Sequence, residues 1–144
     1  MIWGSHCDNL VVTASSRLGL LMRTCHFTIN KRQKRSFYLA VVRAIFEHCS
    51  VVWSHQNSTY TDKFAAIQKR AIKWINGERF ESYSDSVFLE KQKELKILPI
   101  KLKFMYNDLL LFYKIVNNLI PISLPDYISV SEPEQTKYTR RNAL

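Results

Sequence analysis

The chain has 144 residues, of which 47% are apolar and 23% charged, enough for one domain with a core of its own and too apolar for wholesale disorder. Only three Gly and four Pro are present, too few for the turns of an all-β sandwich or barrel. The 21 Lys and Arg against 12 Asp and Glu leave a net charge of +9, which points to a polyanionic partner, nucleic acid or an anionic membrane surface.

The pattern predicts a first helix over 5–23, where Cys7, Leu10, Ala14, Leu18 and Leu21 recur at helical spacing. Ser5 is its expected cap and Arg23 suits its C-terminal end. Thr24–Asn30 is a connector. Asn30, with Gln33 three residues on, forms a capping box for a second helix to about Trp53. Phe37, Val41, Ile45 and Phe46, then Cys49 or Val52, mark its apolar face. The β-branched pairs Val41-Val42 and Val51-Val52 keep a strand reading in competition, and the length favours helix.

Ser54–Tyr60 reads as a loop. Thr61 begins a third helix with Phe64, Ile67, Ala71, Trp74 and Ile75 inward, and Gly77 stops it. Ser84 or Asp85 caps a short fourth helix with Val87, Phe88, Lys91 and Leu95 along it. Pro99 suits the first turn of a fifth. Leu102, Met105, Tyr106, Leu109, Phe112, Tyr113 and Val116 give that helix the cleanest apolar stripe in the chain. Residues 121–144 hold three of the four prolines and end in a polar stretch, expected to be extended and then frayed. The expected architecture is all-α: about five helices in an irregular bundle over 1–120, with a tail over 121–144.

The bases are clustered. Between Asp8 and Glu47 there is no acid and there are seven bases. Lys31, Arg32, Lys34 and Arg35 stand where a helix begins and oppose its dipole, which favours anions there. Phosphates meeting those side chains are one explanation and a solvated charged face is the other; a nuclear-import signal is a third. Lys69, Arg70 and Lys73 form a second cluster. Lys91, Lys93, Lys96, Lys101 and Lys103 form a third, diluted by Glu90 and Glu94.

Catalysis and metal binding find little support. His6-Cys7, Cys25-His26 and His48-Cys49 bring metal-ligating types together, yet no Cys-x2-Cys or His-x3-His step is present. Neighbours on a helix diverge by about 100°, so small core cysteines are the expected reading. Glu47, His48 and Cys49 fail as a Cys–His site for the same reason. No Asp-Asp pair and no Gly-rich phosphate loop occur. No metal and no cofactor are expected. Trp53, Trp74, Tyr106, Phe112 and Tyr113 are expected in the core; base stacking requires them exposed. The odd, scattered cysteines at 7, 25 and 49 argue against a disulfide framework and for an intracellular place, nucleus or cytoplasm. There is no run of 18 apolar residues and no secretory pattern, so no membrane span is expected. An anionic-membrane role requires a basic rim richer than Lys101, Lys103 and Lys114 beside the fifth helix.

Five stretches in order resemble the segment that follows the polymerase palm in LINE-type (non-LTR) retrotransposon reverse transcriptases of the jockey-like kind. They are Trp3-Gly4-Ser5-His6 with Ser16–Arg23, Phe37–Trp53, Ile67–Ala71 with Lys73-Trp74-Ile75, Leu95–Ile100, and Asp108-Leu109 with Phe112–Asn117, continuing to Leu124-Pro125 and Thr139-Arg140. The likeness covers residues 3–141. It departs at Ala44, where the family usually has Pro, and at Asn118, where it often has Gly. The family's aromatic-x-Asp-Asp catalytic turn is absent.

The resemblance implies a thumb-like helical segment separated from its active site. It implies no polymerase activity for this chain and a residual grip on RNA or an RNA–DNA hybrid. Arg23, Arg43, Lys69, Arg70 and Lys73 are the phosphate contacts it implies, beside Lys31, Arg32, Lys34 and Arg35 from the charge pattern. The alternative is a structural helical module, inactive alone, that packs against the remainder of a reverse transcriptase and exposes an apolar face without it.

Overall fold

A computed structural model describes residues 3–25, 29–54, 58–78 and 83–122. The described residues are helical or irregular, with no strand among them. The all-α expectation holds. The elements are α1 (Gly4–Thr24), α2 (Lys31–Phe37), a π-helical segment (Tyr38–Arg43), α3 (Ala44–Glu47), α4 (Ser50–Trp53), α5 (Ser58–Asn76), α6 (Asp85–Glu94) and α7 (Ile100–Val116). The expected tail lies outside the described residues from 123 onward. The chain divides into two compact units, Met1–Leu109 and Leu110–Leu144, with the boundary inside α7.

Helix α1 buries Cys7, Ala14, Leu18 and Leu21 against α5, the π-helical segment and α3. Its N-cap is Trp3, without a side-chain cap; Ser5 is already inside the first turn. The capping box of α2 forms as expected. The Asn30 side chain accepts from the Gln33 backbone N–H at 2.9 Å, and the Gln33 side chain accepts from the Asn30 N–H at 3.1 Å.

The expected second helix is broken; of its expected inward face Phe46 is buried and Val41 and Ile45 are half-buried against the core. The buried row is Tyr38, Val42 and Phe46, with Ser50 and Trp53 beyond; Phe37 and Val52 are exposed. Two apolar rows lie side by side here, and the wide π turn keeps the four-residue row inward where a regular helix rotates it away. The helix stops at His48, whose backbone is extended, and Cys49 takes a left-handed φ of 51° before α4.

Phe64 of α5 is the hub of the core. Its ring lies 4.9 Å from Phe46, 5.5 Å from Trp53 and 6.4 Å from Phe104. The inward residues expected on α5 are all buried.

Three helices end in the same way. A residue with positive φ follows α5, α6 and α7: Gly77 at 80°, Lys96 at 50° and Asn118 at 53°. In each case the N–H groups of that residue and of the next close back on the last turn, as in Glu78 to Lys73 at 2.9 Å and Ile97 to Gln92 at 3.0 Å. Gly suits this conformation best, and Asn tolerates it. Asn118 thus occupies a left-handed cap that Gly would fill with less strain.

The α7 stripe reverses expectation. Within the first unit Ile100 and Phe104 are buried, whereas Leu102, Met105, Tyr106 and Leu109 are half or more exposed. Within the second unit Phe112 and Tyr113 are exposed.

Candidate nucleic-acid interface

Two of the four cations of α2, Lys31 and Arg35, are held by the end of α6. Arg35 donates through Nε to the Leu95 carbonyl and through Nη2 to the Lys96 carbonyl, the latter at 3.2 Å. Lys31 pairs with Glu94. Cations that are unfavourable at the N-terminus of α2 are thereby favourable at the C-terminus of α6. The hydrogen bond and charge of Lys31 hold the Glu94 carboxyl below the usual carboxylate range. Lys34 sits 5.6 Å over the Trp74 ring.

The left-handed Lys96 turn completes an open cleft of about 350 Å3 lined by Lys31, Arg32, Arg35, Glu94, Leu95 and Lys96. Four cations face one carboxylate there. Arg32 and Lys96 are exposed and have no acidic partner among the described residues. A phosphate in such a cleft finds two uncommitted cations and an Arg already held in place.

The other expected contacts do not line this cleft. Arg43 is only 4% exposed, and its guanidinium is committed to Glu47, which Lys103 approaches at 4.0 Å. It presents no free cation to a phosphate, which corrects the sequence reading: a buried charge requires a partner within the fold. Lys69 and Lys73 are half-buried on α5, 5.4 Å over the Phe88 and Tyr83 rings respectively. Arg70 and Arg23 are exposed on α5 and at the end of α1. Lys96 belongs to the third basic cluster and not to the expected phosphate contacts. Its signal was faint: a short amphipathic pattern that ends just before Pro99, with a lysine where the chain must turn.

Among the described residues, no three His, Cys, Asp or Glu side chains come together. His26 lies outside the described residues. Burial pushes the Cys7 thiol up, with the Asp8 charge adding to it. Cys49 is exposed, and Glu47 beside it belongs to Arg43. Trp53 and Trp74 are buried, while Tyr106, Phe112 and Tyr113 meet the exposure that base stacking requires. No described helix is long and apolar enough to cross a membrane. Comparison of the chain with protein-family models, curated proteins and solved structures finds no match.

Proposed function

We propose that this chain is a non-catalytic helical module that grips the phosphate backbone of RNA or an RNA–DNA hybrid, as the post-palm segment of a LINE-type reverse transcriptase would. The observation that carries this reading is the cleft between α2 and α6, where four cations surround one carboxylate. Binding there releases counterions and reads no bases, so affinity falls steeply with salt and little with sequence. The catalytic carboxylates of such a polymerase are no part of this chain, and the module acts through position alone. Titration against an RNA–DNA hybrid and a single strand of equal length, at several salt concentrations, tests it. A steep negative log–log slope on the duplex, worth several neutralised phosphates at about −0.9 each, supports it. No binding at low salt sinks it.

A second reading is favoured by α7. Exposed Leu102, Met105, Tyr106 and Leu109 give it an apolar row that suits packing against the rest of a polymerase. On that reading the isolated chain self-associates as concentration rises, and Leu109→Lys reverses this. A monomer at all concentrations in sedimentation velocity counts against it.

A further inference from the structure

The turn between α6 and α7 forms an apolar groove beside the basic cleft. Its volume is about 400 Å3, within the range of about 300–1,000 Å3 typical of ligand sites. Leu89 of α6, Ile97, Leu98 and Pro99 of the turn, and Leu102 of α7 line it. Leu89 and Leu98 are 49% exposed and Leu102 is 51% exposed, so the groove presents large aliphatic side chains to water. Leu102 also begins the row that continues through Met105, Tyr106 and Leu109 along α7. The groove therefore opens onto an apolar track at i, i+3, i+4 and i+7 spacing, the spacing by which one helix receives another.

The rim decides the occupant. Lys93 and Lys96 line the groove and no acid does. Both lysines are exposed, and neither has an acidic partner among the described residues. A second copy of this chain would bring its own +9 charge against that rim. A nucleic acid would meet the lysines and leave the leucines wet. No strand edge exists among the described residues to receive an extended peptide.

We propose that this groove docks an amphipathic helix of a partner protein, with leucine-type anchors on one face and Asp or Glu beside them. The anchors fill the space between Leu89, Leu98 and Leu102, and the carboxylates meet Lys93 and Lys96. This surface is separate from the phosphate cleft except at Lys96, so the proposal does not depend on nucleic-acid binding.

The probe is a fluorescein-labelled helical peptide with leucines at i, i+3, i+4 and i+7 and glutamates flanking them. One twin carries lysines for the glutamates, and another alanines for the leucines. Fluorescence anisotropy follows each against the full chain. Only the acidic leucine peptide binds. Leu89→Ser and Leu102→Ser each weaken it at least about tenfold, with helicity unchanged by circular dichroism because both side chains are half exposed. The double variant Lys93→Glu/Lys96→Glu loses the acidic peptide and gains the basic twin. Arg32→Ala lowers hybrid binding and leaves peptide binding intact. Equal binding of the acidic and basic peptides by the native chain overturns the proposal. So does indifference to both leucine substitutions, or a parallel loss of peptide and hybrid in Arg32→Ala. Only the Arg32→Ala comparison uses the hybrid; the peptide pairs, the leucine substitutions and the lysine reversal decide the proposal whether or not the unmodified chain binds it.

Discussion

Replacing Arg35 by Ala separates cations that hold the fold from cations that face a ligand. Arg35 is half-buried and donates to two carbonyls at the end of α6. A hydrogen bond from a charged group contributes about 1.5–3 kcal/mol, and a cation at a helix C-terminus about 0.3–1 kcal/mol. Lys96 is exposed, so water replaces part of what the guanidinium supplied, and the lower end applies. The expected loss is about 2 kcal/mol. For a chain of this size about 1 kcal/mol moves Tm by about 3–5 °C, so Arg35→Ala melts about 6–10 °C lower. Arg35→Lys recovers little, because an ammonium lacks the planar fork that reaches both carbonyls. Arg32→Ala, at an exposed position with no acidic partner among the described residues, stays within about 0.5 kcal/mol of the parent. Thermal melts by circular dichroism, read beside hybrid titrations, make the comparison. If Arg35→Ala melts with the parent and loses affinity as Arg32→Ala does, the assignment of Arg35 to the fold is wrong.

Other substitutions probe the core and the acid response. Phe64→Ala removes the hub of the aromatic cluster, and a loss of about 3–5 kcal/mol in chemical denaturation is expected. Tyr38 is fully buried and its hydroxyl has no partner among the described residues, so burial drives its ionisation well above the ordinary range. Tyr38→Phe removes an unsatisfied group and raises stability by about 1 kcal/mol, visible as a higher Tm. Glu78 is held below its ordinary pKa by hydrogen bonds from Tyr83 and Lys91. A depressed carboxyl contributes stability above the unfolded value of about 4.5 and loses it as pH falls through the folded one. Glu78→Gln therefore flattens the decline of Tm as pH falls below the unfolded carboxyl value.

Local chemistry was the legible part of this chain. The Asn30–Gln33 capping box, the stop at Gly77, the Ser84 cap and the inward row of α5 each follow from a few neighbouring residues, and the structure has them all. Choices between equal alternatives were not legible. Phe37–Val41–Ile45 and Tyr38–Val42–Phe46 are both apolar rows, and only the tertiary partners and the π turn select the second. The α7 stripe shows the same limit from the other side. A periodic apolar face records that something covers it, not that the cover lies within the chain.

The site divides along the same line. Clustered bases at 31–35 were visible as a cluster. Their distribution was not, because it depends on α6 arriving some 60 residues later in the chain, with Arg35 and Leu95 separated by 60 positions. Arg43 looked like a surface base among surface bases. Its burial becomes intelligible only with Glu47 one turn away, a pairing that i, i+4 spacing allows and does not require. Lys96 joins the cleft through a left-handed turn that a sequence marks clearly only when Gly occupies it.

The most direct test of the account is the salt-dependent titration of the RNA–DNA hybrid with the native chain and with Arg32→Ala/Lys96→Ala. Both substituted side chains are exposed, so the double variant should melt with the parent. The account predicts steep salt dependence for the native chain and a shallower slope, by about one to two phosphates, with weaker low-salt binding for the variant. Equal affinity and equal slope in the two proteins would contradict it.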